Sequence, residues 1–252
     1  MAATERPLAG WRVLVPRGGK WGDSVAARLR GLGAVPVIAP LINFASTDEP
    51  EALAAALHRL GGGHYDWLVI TSATTVDVLV SSGVVVPETT RIAAVGETTA
   101  SALAFAGYRV DFVPEDNSAR GMVKEWHTDA VGRVLVPHSD IAEPTIVAGL
   151  SDRGLDVEYV AAYRTVGVPV SDQVRADVAS GRIGAILVTS GSVARQIAAQ
   201  LAPLPASTVV ACIGPRTAFD ARGAGLSVHT IAETRSAEAL VDALVEHVAS
   251  GG

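Results

Sequence analysis

The chain alternates between short apolar runs and longer segments in which apolar residues recur with helical spacing. Runs such as WRVLVP, WLVIT, RIAAVG and AILVT are continuously apolar, which is typical of strands buried on both faces of a parallel sheet. Between most of them lie segments such as DSVAARLRGLG and SAEALVDALVEHV, which predict amphipathic helices. Two longer runs, VPVIAPLINF and VEYVAAYRTV, predict long strands. The pattern as a whole predicts an α/β fold with parallel sheets.

The sequence also contains an internal repeat. Thr189 and Ser190 follow AILV as Thr71 and Ser72 follow WLVI, an offset of 118 residues. The other pairs with this offset include Gly96 and Gly214, Thr99 and Thr217, Gly107 and Gly225, and Ser118 and Ser236. A second offset, of 121 residues, relates the two copies of RVLVP. We therefore expect two similar α/β units, each with a further strand late in its sequence, YRVDFVP in one and LSVHTIA in the other.

Hydroxyl-rich or glycine-containing turns lead from the buried strands into predicted helices. In parallel α/β sheets, ligands bind beyond the carboxyl ends of the strands. A Ser or Thr in such a turn caps the helix, while the remaining free N–H groups and the helix dipole favour an anion. Capping alone explains any single turn, whereas the matched set favours a shared site for a polyanion. The candidates are Thr71, Ser72, Gly96, Thr99, Ser118, Thr189, Ser190, Ser192, Gly214, Thr217 and Ser236.

Charge and composition exclude several classes of protein. With 26 acidic and 20 basic residues the chain has a net charge of −6, and it has no block of Lys and Arg, which argues against nucleic-acid binding. No apolar run is long enough to span a bilayer, and the N-terminal residues do not form a signal peptide, so we expect a cytoplasmic protein without membrane contact.

The residue types that hold metals, disulfides and dinucleotides are absent or wrongly spaced. Cys212 is the single cysteine, and the six histidines show neither HxH nor HExxH spacing. The stretch RGGKWGD is rich in glycine but is not GxGxxG. We therefore expect no metal site, no disulfide and no dinucleotide cofactor.

Several of these motifs occur in a telling order: DWLVITSATTV, AAVGETTASALAFAGYRV, VEYVAAYRT, ILVTSGSVA, CIGPRTAFDARGAGL and SAEALVDAL. Together they resemble the uroporphyrinogen-III synthase family over nearly the whole chain. The resemblance implies a cofactor-free lyase of heme biosynthesis that cyclises the linear tetrapyrrole hydroxymethylbilane. Water is lost and the last pyrrole ring is inverted through a spiro intermediate. Turns of two flavodoxin-like or Rossmann-like domains would hold the substrate carboxylates in a cleft between them.

The resemblance also implies how the chain divides. One domain would be discontinuous, with residues 1–37 and 169–252, and the other would hold residues 43–163. Residues 38–42 and 164–168 would bridge them. A simple split near residue 130 is the competing interpretation, and we prefer the first because Pro36, Pro40 and Pro169 punctuate the ends of the two long strands.

The resemblance assigns catalysis to Tyr163, as the donor to the departing hydroxyl group. A phenol, with a pKa of about 10, is protonated at neutral pH and can donate. A half-buried tyrosine with its hydroxyl at the surface is the plainer alternative. Thr99 and Thr217 match family threonines, and we expect them to contact substrate. Arg17 is either a further contact or a solvated loop residue.

One stretch departs from the family pattern. After its second VLVP the family commonly carries Arg-Gly and a later Arg, whereas this chain continues HSDIAEPTIV, so His138 and Ser139 become candidate substrate contacts. The departure leaves open a catalytically weakened tetrapyrrole-binding or regulatory domain of the same fold. A two-lobed solute-binding protein is disfavoured because we find no export signal. We expect a monomer with no cofactor, a small-molecule substrate and transient contact with the upstream bilane-producing enzyme.

Overall fold

The computed structural model describes residues 6–126, 132–142 and 144–251. Its strands are β1 Arg12–Val15, β2 Val35–Ile38, β3 Ile42–Ser46, β4 Trp67–Ile70, β5 Arg91–Ala94, β6 Arg133–Ser139, β7 Asp156–Gly167, β8 Ala185–Val188, β9 Val209–Cys212 and β10 Thr230–Ile231. Its helices are α1 Gly19–Gly31, α2 Pro50–Gly61, α3 Ala73–Ser82, α4 Glu97–Phe105, α5 Ala119–Glu125, α6 Thr145–Ser151, α7 Asp172–Ala179, α8 Gly191–Leu201, α9 Pro215–Gly223 and α10 Ala237–Ala249. Glu143, within the HSDIAEP departure, lies outside the described residues.

The chain divides into two compact units. Unit 1 comprises Met1–Asn43 and Val166–Gly252, and unit 2 comprises Phe44–Thr165. The chain passes from one unit to the other within β3 and returns within β7. The domain bounds that the resemblance implies, with bridges at 38–42 and 164–168, remain a proposal.

Each unit is built on a five-stranded sheet. The strand order is β2-β1-β8-β9-β10 in unit 1 and β3-β7-β6-β4-β5 in the sheet of unit 2. All pairs in the first sheet are parallel, as are β7 with β6, β6 with β4 and β4 with β5 in the second. The order in unit 1 is that of flavodoxin-like sheets, in which the second strand lies at one edge and the first strand lies next to it. The predicted α/β class with parallel sheets is confirmed.

The pairing registers show that the two units are repeats. β4 pairs with β5 from Trp67 opposite Arg91, and β8 pairs with β9 from Ala185 opposite Val209, so both partners move by 118 residues. The pairing of β1 with β2, from Arg12 opposite Val35, recurs 121 residues later in β6 and β7. Both sequence offsets are therefore kept residue by residue in the sheets, and the predicted duplication is confirmed.

The continuous apolar runs are buried because helices cover both faces of each sheet. In unit 1, Leu14 and Ile186 belong to one core cluster, and Val13 and Leu187 belong to another. Unit 2 has the same two-sided arrangement, with Leu68 in one cluster and Val69 in the other. Burial on both faces explains why these strands lack the alternation of a half-exposed strand.

Three predicted strands are shorter than the sequence suggested. The run VPVIAPLINF forms two strands, β2 and β3, separated at Ala39–Leu41, because Pro40 has a fixed φ and no N–H for a ladder. YRVDFVP forms only an isolated bridge, between Phe112 and Ala93, and LSVHTIA forms only the two residues of β10.

Two of these strands are short because a side chain, and not a backbone carbonyl, accepts a hydrogen bond from the neighbouring strand. The Ile92 N–H donates to Asp111 Oδ2 at 2.9 Å, and the Val210 N–H donates to His229 Nδ1 at 3.0 Å. Asp111 and His229 are themselves 118 residues apart.

Candidate active site

Tyr163 lies on β7 in unit 2, and the structure buries it. The residue is 7% exposed, and its ring meets Phe44 edge-on with 5.3 Å between centroids. Its hydroxyl oxygen lies 3.0 Å from Ser72 Oγ, at the start of α3. Tyr163 is therefore buried rather than half-buried, and its hydroxyl group is within hydrogen-bonding distance of a serine side chain.

The surroundings keep this phenol protonated. Burial is the largest influence and raises the pKa of Tyr163, and the negative charge of Asp140 raises it further. The hydroxyl groups of Ser72, Ser139 and Thr74 lower it, but the balance is a pKa above the usual value. At neutral pH Tyr163 carries its proton and can serve as a hydrogen-bond donor.

The end of β6 is hydrogen-bonded to β7 on either side of Tyr163. The pairing of the two strands shifts register between His138 and Ser139, which brings Ser139 opposite Tyr163. The Asp140 N–H donates to the Tyr163 carbonyl at 3.0 Å, and Asp140 Oδ1 accepts from the Thr165 N–H at 3.0 Å and from the Ser139 hydroxyl at 3.0 Å. Register irregularities of this kind occur often near active sites.

The structure gives His138 a different neighbour from Ser139. Its ring stacks on Tyr159, with 5.3 Å between centroids and 20° between planes, and Nδ1 lies 2.5 Å from the Ser139 carbonyl oxygen. The histidine at the departure from the family pattern is thus held against an exposed tyrosine of β7. Its role as a substrate contact stays a prediction.

Serines cap the helices that follow the hydroxyl turns, as predicted. Each serine oxygen accepts a hydrogen bond from the backbone N–H three residues later. The distances are 3.3 Å for Ser72, 3.0 Å for Ser118, 3.2 Å for Ser190 and 3.0 Å for Ser236. A serine hydroxyl in this position still has its own proton to donate and a second lone pair. Capping therefore does not prevent a second partner, as the contact between Ser72 and Tyr163 shows.

The side chain beside the N-cap glycine is neutral in unit 2 and positively charged in unit 1. Gly96 and Gly214 occupy the N-cap positions of α4 and α9, and neither helix has a side-chain cap from that residue. At α4 the Glu97 N–H donates to Asn117 Oδ1 at 3.2 Å. The residue 118 positions after Asn117 is Arg235, and a Cβ atom added to Gly214 would lie 3.2 Å from Arg235 Cγ.

The two threonines that were expected to contact substrate are buried. Thr99 is 6% exposed and Thr217 is 5% exposed, and each is the third residue after its N-cap glycine. They therefore present little surface to a ligand in this conformation.

The remaining candidates lie partly or fully exposed at the turns. Ser192 Oγ accepts from the Arg195 guanidinium at 3.4 Å, and the exposed Arg17 places its guanidinium carbon 5.1 Å from the centre of the Trp21 ring. Unit 2 contains Thr71, Ser72, Gly96, Thr99, Ser118, His138, Ser139 and Tyr163. Unit 1 contains Arg17, Thr189, Ser190, Ser192, Gly214 and Thr217.

Tyr163 also lines a cavity in unit 2. The cavity has a volume of about 940 Å³, and its walls are mostly apolar, with Phe44, Leu53 and Leu57 among them. Thr74, from the first turn of α3, contributes polar atoms. Concave apolar surfaces with a few polar groups are the usual form of small-molecule sites.

Sequence analysis missed Asp140, Thr75 and Asn117. Asp140 was detectable only as the residue after Ser139 at a strand end, and Thr75 only as a hydroxyl three residues after an N-cap. The hydrogen bond from Glu97 to Asn117 spans 20 residues, so no local pattern indicates it.

The described residues contain neither a metal-binding cluster nor a membrane-spanning helix. Within residues 6–126, 132–142 and 144–251, no group of three or more His, Cys, Asp or Glu side chains could hold a metal ion. No helix among the described residues is long and apolar enough to cross a membrane.

The fold and the turns define a class of protein: a duplicated α/β protein with flavodoxin-like strand order and helix N-termini at its candidate site. The model of the family uroporphyrinogen-III synthase HemD matches residues 23–242, so the chain belongs to the uroporphyrinogen-III synthase family.

Related sequences and solved structures agree with this family. The chain is 30% identical, over 96% of its length, to porphyrin biosynthesis protein HemD of Ruminiclostridium josui and covers 49% of that protein. It is 28% identical, over 64% of its length, to uroporphyrinogen-III synthase of Synechococcus elongatus and covers 63% of it. The chain thus spans about half to two thirds of the length of these relatives.

The solved structures share the fold. A mutant uroporphyrinogen III synthase of Thermus thermophilus matches with a TM-score of 0.69 at 18% identity, over 95% of this chain and 99% of that one. The synthetase of Helicobacter pylori matches with a TM-score of 0.62 at 14% identity, over 94% of this chain and 98% of that one.

Proposed function

We propose that this protein is a uroporphyrinogen-III synthase, which cyclises hydroxymethylbilane to uroporphyrinogen III with loss of water and inversion of ring D. One observation carries the proposal beyond family membership: a buried, protonated Tyr163 with its hydroxyl oxygen 3.0 Å from Ser72 Oγ. A phenol in this state can supply the single proton that the leaving group needs.

The proton balance is simple. Tyr163 gives its proton to the substrate hydroxyl as the C–O bond breaks, so that water leaves and a delocalised cation remains beside the phenolate. The cationic methylene carbon bonds to the substituted α-carbon of the last pyrrole ring, which gives the spiro intermediate. The bond from that carbon to its existing methylene bridge then breaks, and the freed methylene carbon bonds to the unsubstituted α-carbon of the same ring, which still carries its proton. Loss of that proton to the phenolate restores the aromatic ring and the phenol. No oxidant or reductant is consumed, and the reaction needs no cofactor.

Isomer choice rests on positioning. The linear substrate closes unaided to the uninverted isomer, so the protein must present the more hindered ring carbon, which is a task of orientation. We propose that helix N-termini in both units bind the substrate carboxylates through backbone N–H groups and hydroxyls. This proposal explains how a protein with a net charge of −6 takes a polyanionic substrate. The cytoplasmic location, the monomeric state and the contact with the bilane-producing enzyme also remain proposals.

The test supplies hydroxymethylbilane to the purified protein and separates the two uroporphyrinogen isomers after oxidation. We expect the inverted isomer to form in excess over a reaction without protein, which gives the uninverted isomer. Equal isomer ratios with and without protein would contradict the proposal.

The weakened-domain alternative rests on His138, because its ring stacks on Tyr159 where the family pattern has Arg-Gly. A protein of that kind would bind the tetrapyrrole and leave the isomer ratio unchanged. Fluorescence titration with uroporphyrin III, run beside the isomer assay, separates a binder from an enzyme.

A further inference from the structure

Ser72 differs from the other capping serines because its hydroxyl lies close to two side-chain hydroxyl groups in addition to the backbone N–H that it caps. Its oxygen accepts from the Thr75 N–H at 3.3 Å, and it also lies 3.1 Å from Thr75 Oγ1 and 3.0 Å from the Tyr163 hydroxyl oxygen. The structure joins three hydroxyl groups in a row from the first turn of α3 to β7.

The direction of these hydrogen bonds follows from what each hydroxyl can offer. A serine hydroxyl has one proton and two acceptor positions, and the Thr75 N–H occupies one acceptor position. The remaining proton and acceptor position serve Thr75 and Tyr163, so one of these residues donates to Ser72 and the other accepts from it.

Burial decides which of them donates. Thr75 is 0% exposed, and among the described residues Ser72 is the side-chain partner of its hydroxyl. If Tyr163 donated to Ser72, then Ser72 would donate to Thr75, and the Thr75 proton would be buried without a side-chain acceptor, which is costly. If Thr75 donates to Ser72, then Ser72 donates to Tyr163, and the phenol proton is left for a ligand or for the neighbouring hydroxyl groups of Ser139 and Thr74.

We propose that Ser72 is a positioning residue for Tyr163: it receives the Thr75 hydroxyl proton, donates its own proton to the phenol oxygen, and so directs the phenol O–H toward the substrate. When the phenol gives up its proton, the same hydrogen bond stabilises the phenolate. The proposal rests on the proposed function for its catalytic meaning, and it moves Ser72 from the predicted substrate contacts to a residue that acts through Tyr163.

The chain supplies a matched control for the capping role. Ser171 caps α7 by accepting from the Val174 N–H at 3.3 Å, the same distance as at Ser72, and it belongs to none of the proposed contacts. Ser171→Ala therefore removes a cap alone. Ser72→Ala removes a cap and the phenol contact together, whereas Ser72→Gly removes the hydroxyl with a smaller capping loss, because glycine is itself a good N-cap.

The first measurement is steady-state kinetics of inverted-isomer formation. We expect Ser72→Ala and Ser72→Gly to lower kcat about tenfold with KM little changed, as for one hydrogen bond that matters in the transition state. Ser72→Thr keeps a hydroxyl and should retain most of kcat, and Ser171→Ala should leave both constants unchanged. In a Tyr163→Phe background, Ser72→Ala should cost no further activity, since its effect passes through the phenol.

The second measurement needs no turnover. With tyrosine labelled at Cζ, the NMR signal of Tyr163 at neutral pH should move in Ser72→Ala and Ser72→Gly and stay in place in Ser171→Ala. The signals of Tyr65, Tyr108 and Tyr159 should stay in place in all of them.

The outcomes separate the two proposals. An unmoved Tyr163 signal, a rise in KM without a fall in kcat, or an equal loss in the Tyr163→Phe background would each overturn the positioning role. A wild-type protein that forms no inverted isomer overturns the proposed function, while the NMR signal still reports whether the Ser72 hydroxyl contacts the phenol.

Discussion

The hydroxyl turns of the two units share one sequence pattern and one local geometry but have different neighbours. Ser72 and Ser190 both follow a buried strand and both cap the next helix, at 3.3 and 3.2 Å. Only in unit 2, within the described residues, does the serine also contact a tyrosine. The residue 121 positions before Tyr163 is Ile42, which has no hydroxyl. Duplication thus supplied two equivalent turns, and among the described residues the one in unit 2 lies beside a tyrosine hydroxyl.

The largest effect is expected from Tyr163→Phe, which removes the hydroxyl group that distinguishes the turn of unit 2 from that of unit 1. Tyr163→Phe keeps the ring and its contact with Phe44 but removes the donor, so we expect kcat to fall about 100-fold or more. The product that still forms on the protein should remain mostly the inverted isomer, because orientation is assigned to the binding site. Tyr108→Phe, in the same unit, is the control and should leave kcat unchanged. A switch to the uninverted isomer would show that Tyr163 positions the substrate, and near-normal turnover would remove it from catalysis.

The buried threonines test whether both units serve the same substrate. Thr99→Ala and Thr217→Ala occupy equivalent positions, and each removes a neutral hydrogen-bonding group worth about 0.5–1.5 kcal/mol. If the small exposed part of each side chain meets the substrate, as proposed, each variant should lower kcat/KM a few-fold and by similar factors. An effect confined to Thr99 would restrict the site to unit 2, and complete loss of activity in either variant would indicate a direct chemical role.

The glycine turns predict a difference in stability. Asn117→Ala removes the side-chain acceptor of the Glu97 N–H and should lower the free energy of unfolding by about 1 kcal/mol. Arg235→Ala removes a cation close to the N-terminus of α9, so we expect no such loss. Urea denaturation of the two variants provides the measurement, and equal destabilisation would show that Arg235 stabilises unit 1 through contacts other than a cap.

The smallest effect concerns pH and the pair Asp111 and His229. Burial and the neighbouring His247 lower the pKa of His229, and its Nδ1 must be unprotonated to accept from the Val210 N–H. A group whose folded pKa lies below its unfolded value, about 6.5 for His, loses its contribution as the pH falls below that unfolded value. We therefore expect exchange of the Val210 amide to become less protected between about pH 7 and 5, relative to its intrinsic rate.

Asp111 gives the internal reference for that experiment. Partial burial favours its neutral form, but the Ile92 N–H and the Arg109 guanidinium outweigh this effect, so the pKa of Asp111 lies below its ordinary value. Its hydrogen bond with the Ile92 N–H therefore persists until the pH falls below the pKa of an ordinary carboxyl group. Protection of the Ile92 amide should accordingly stay constant where that of Val210 declines, and a parallel decline at both would point to a global cause.

The sequence was sufficient to predict the class of fold, the duplication and the capping serines, because each depends on periodicity or on residues a few positions apart. The short strands at Phe112 and Thr230 were not predictable, since a side chain on one segment takes the place of a carbonyl for another. Likewise the contact between Ser72 and Tyr163 joins residues 91 positions apart, and no local pattern encodes it. Local motifs therefore predicted where the turns lie, whereas the side chains that contact each turn depend on tertiary structure.

Cys212 has a practical consequence for experiments on this protein. It is fully buried in β9, and burial raises the pKa of its thiol to about 11. Because the thiolate is the reactive species, alkylating dyes will modify this residue only slowly at neutral pH. One cysteine introduced on the surface of each unit could then be labelled without first removing the natural one. Single-molecule fluorescence transfer between two such labels would compare the separation of the units with and without added hydroxymethylbilane.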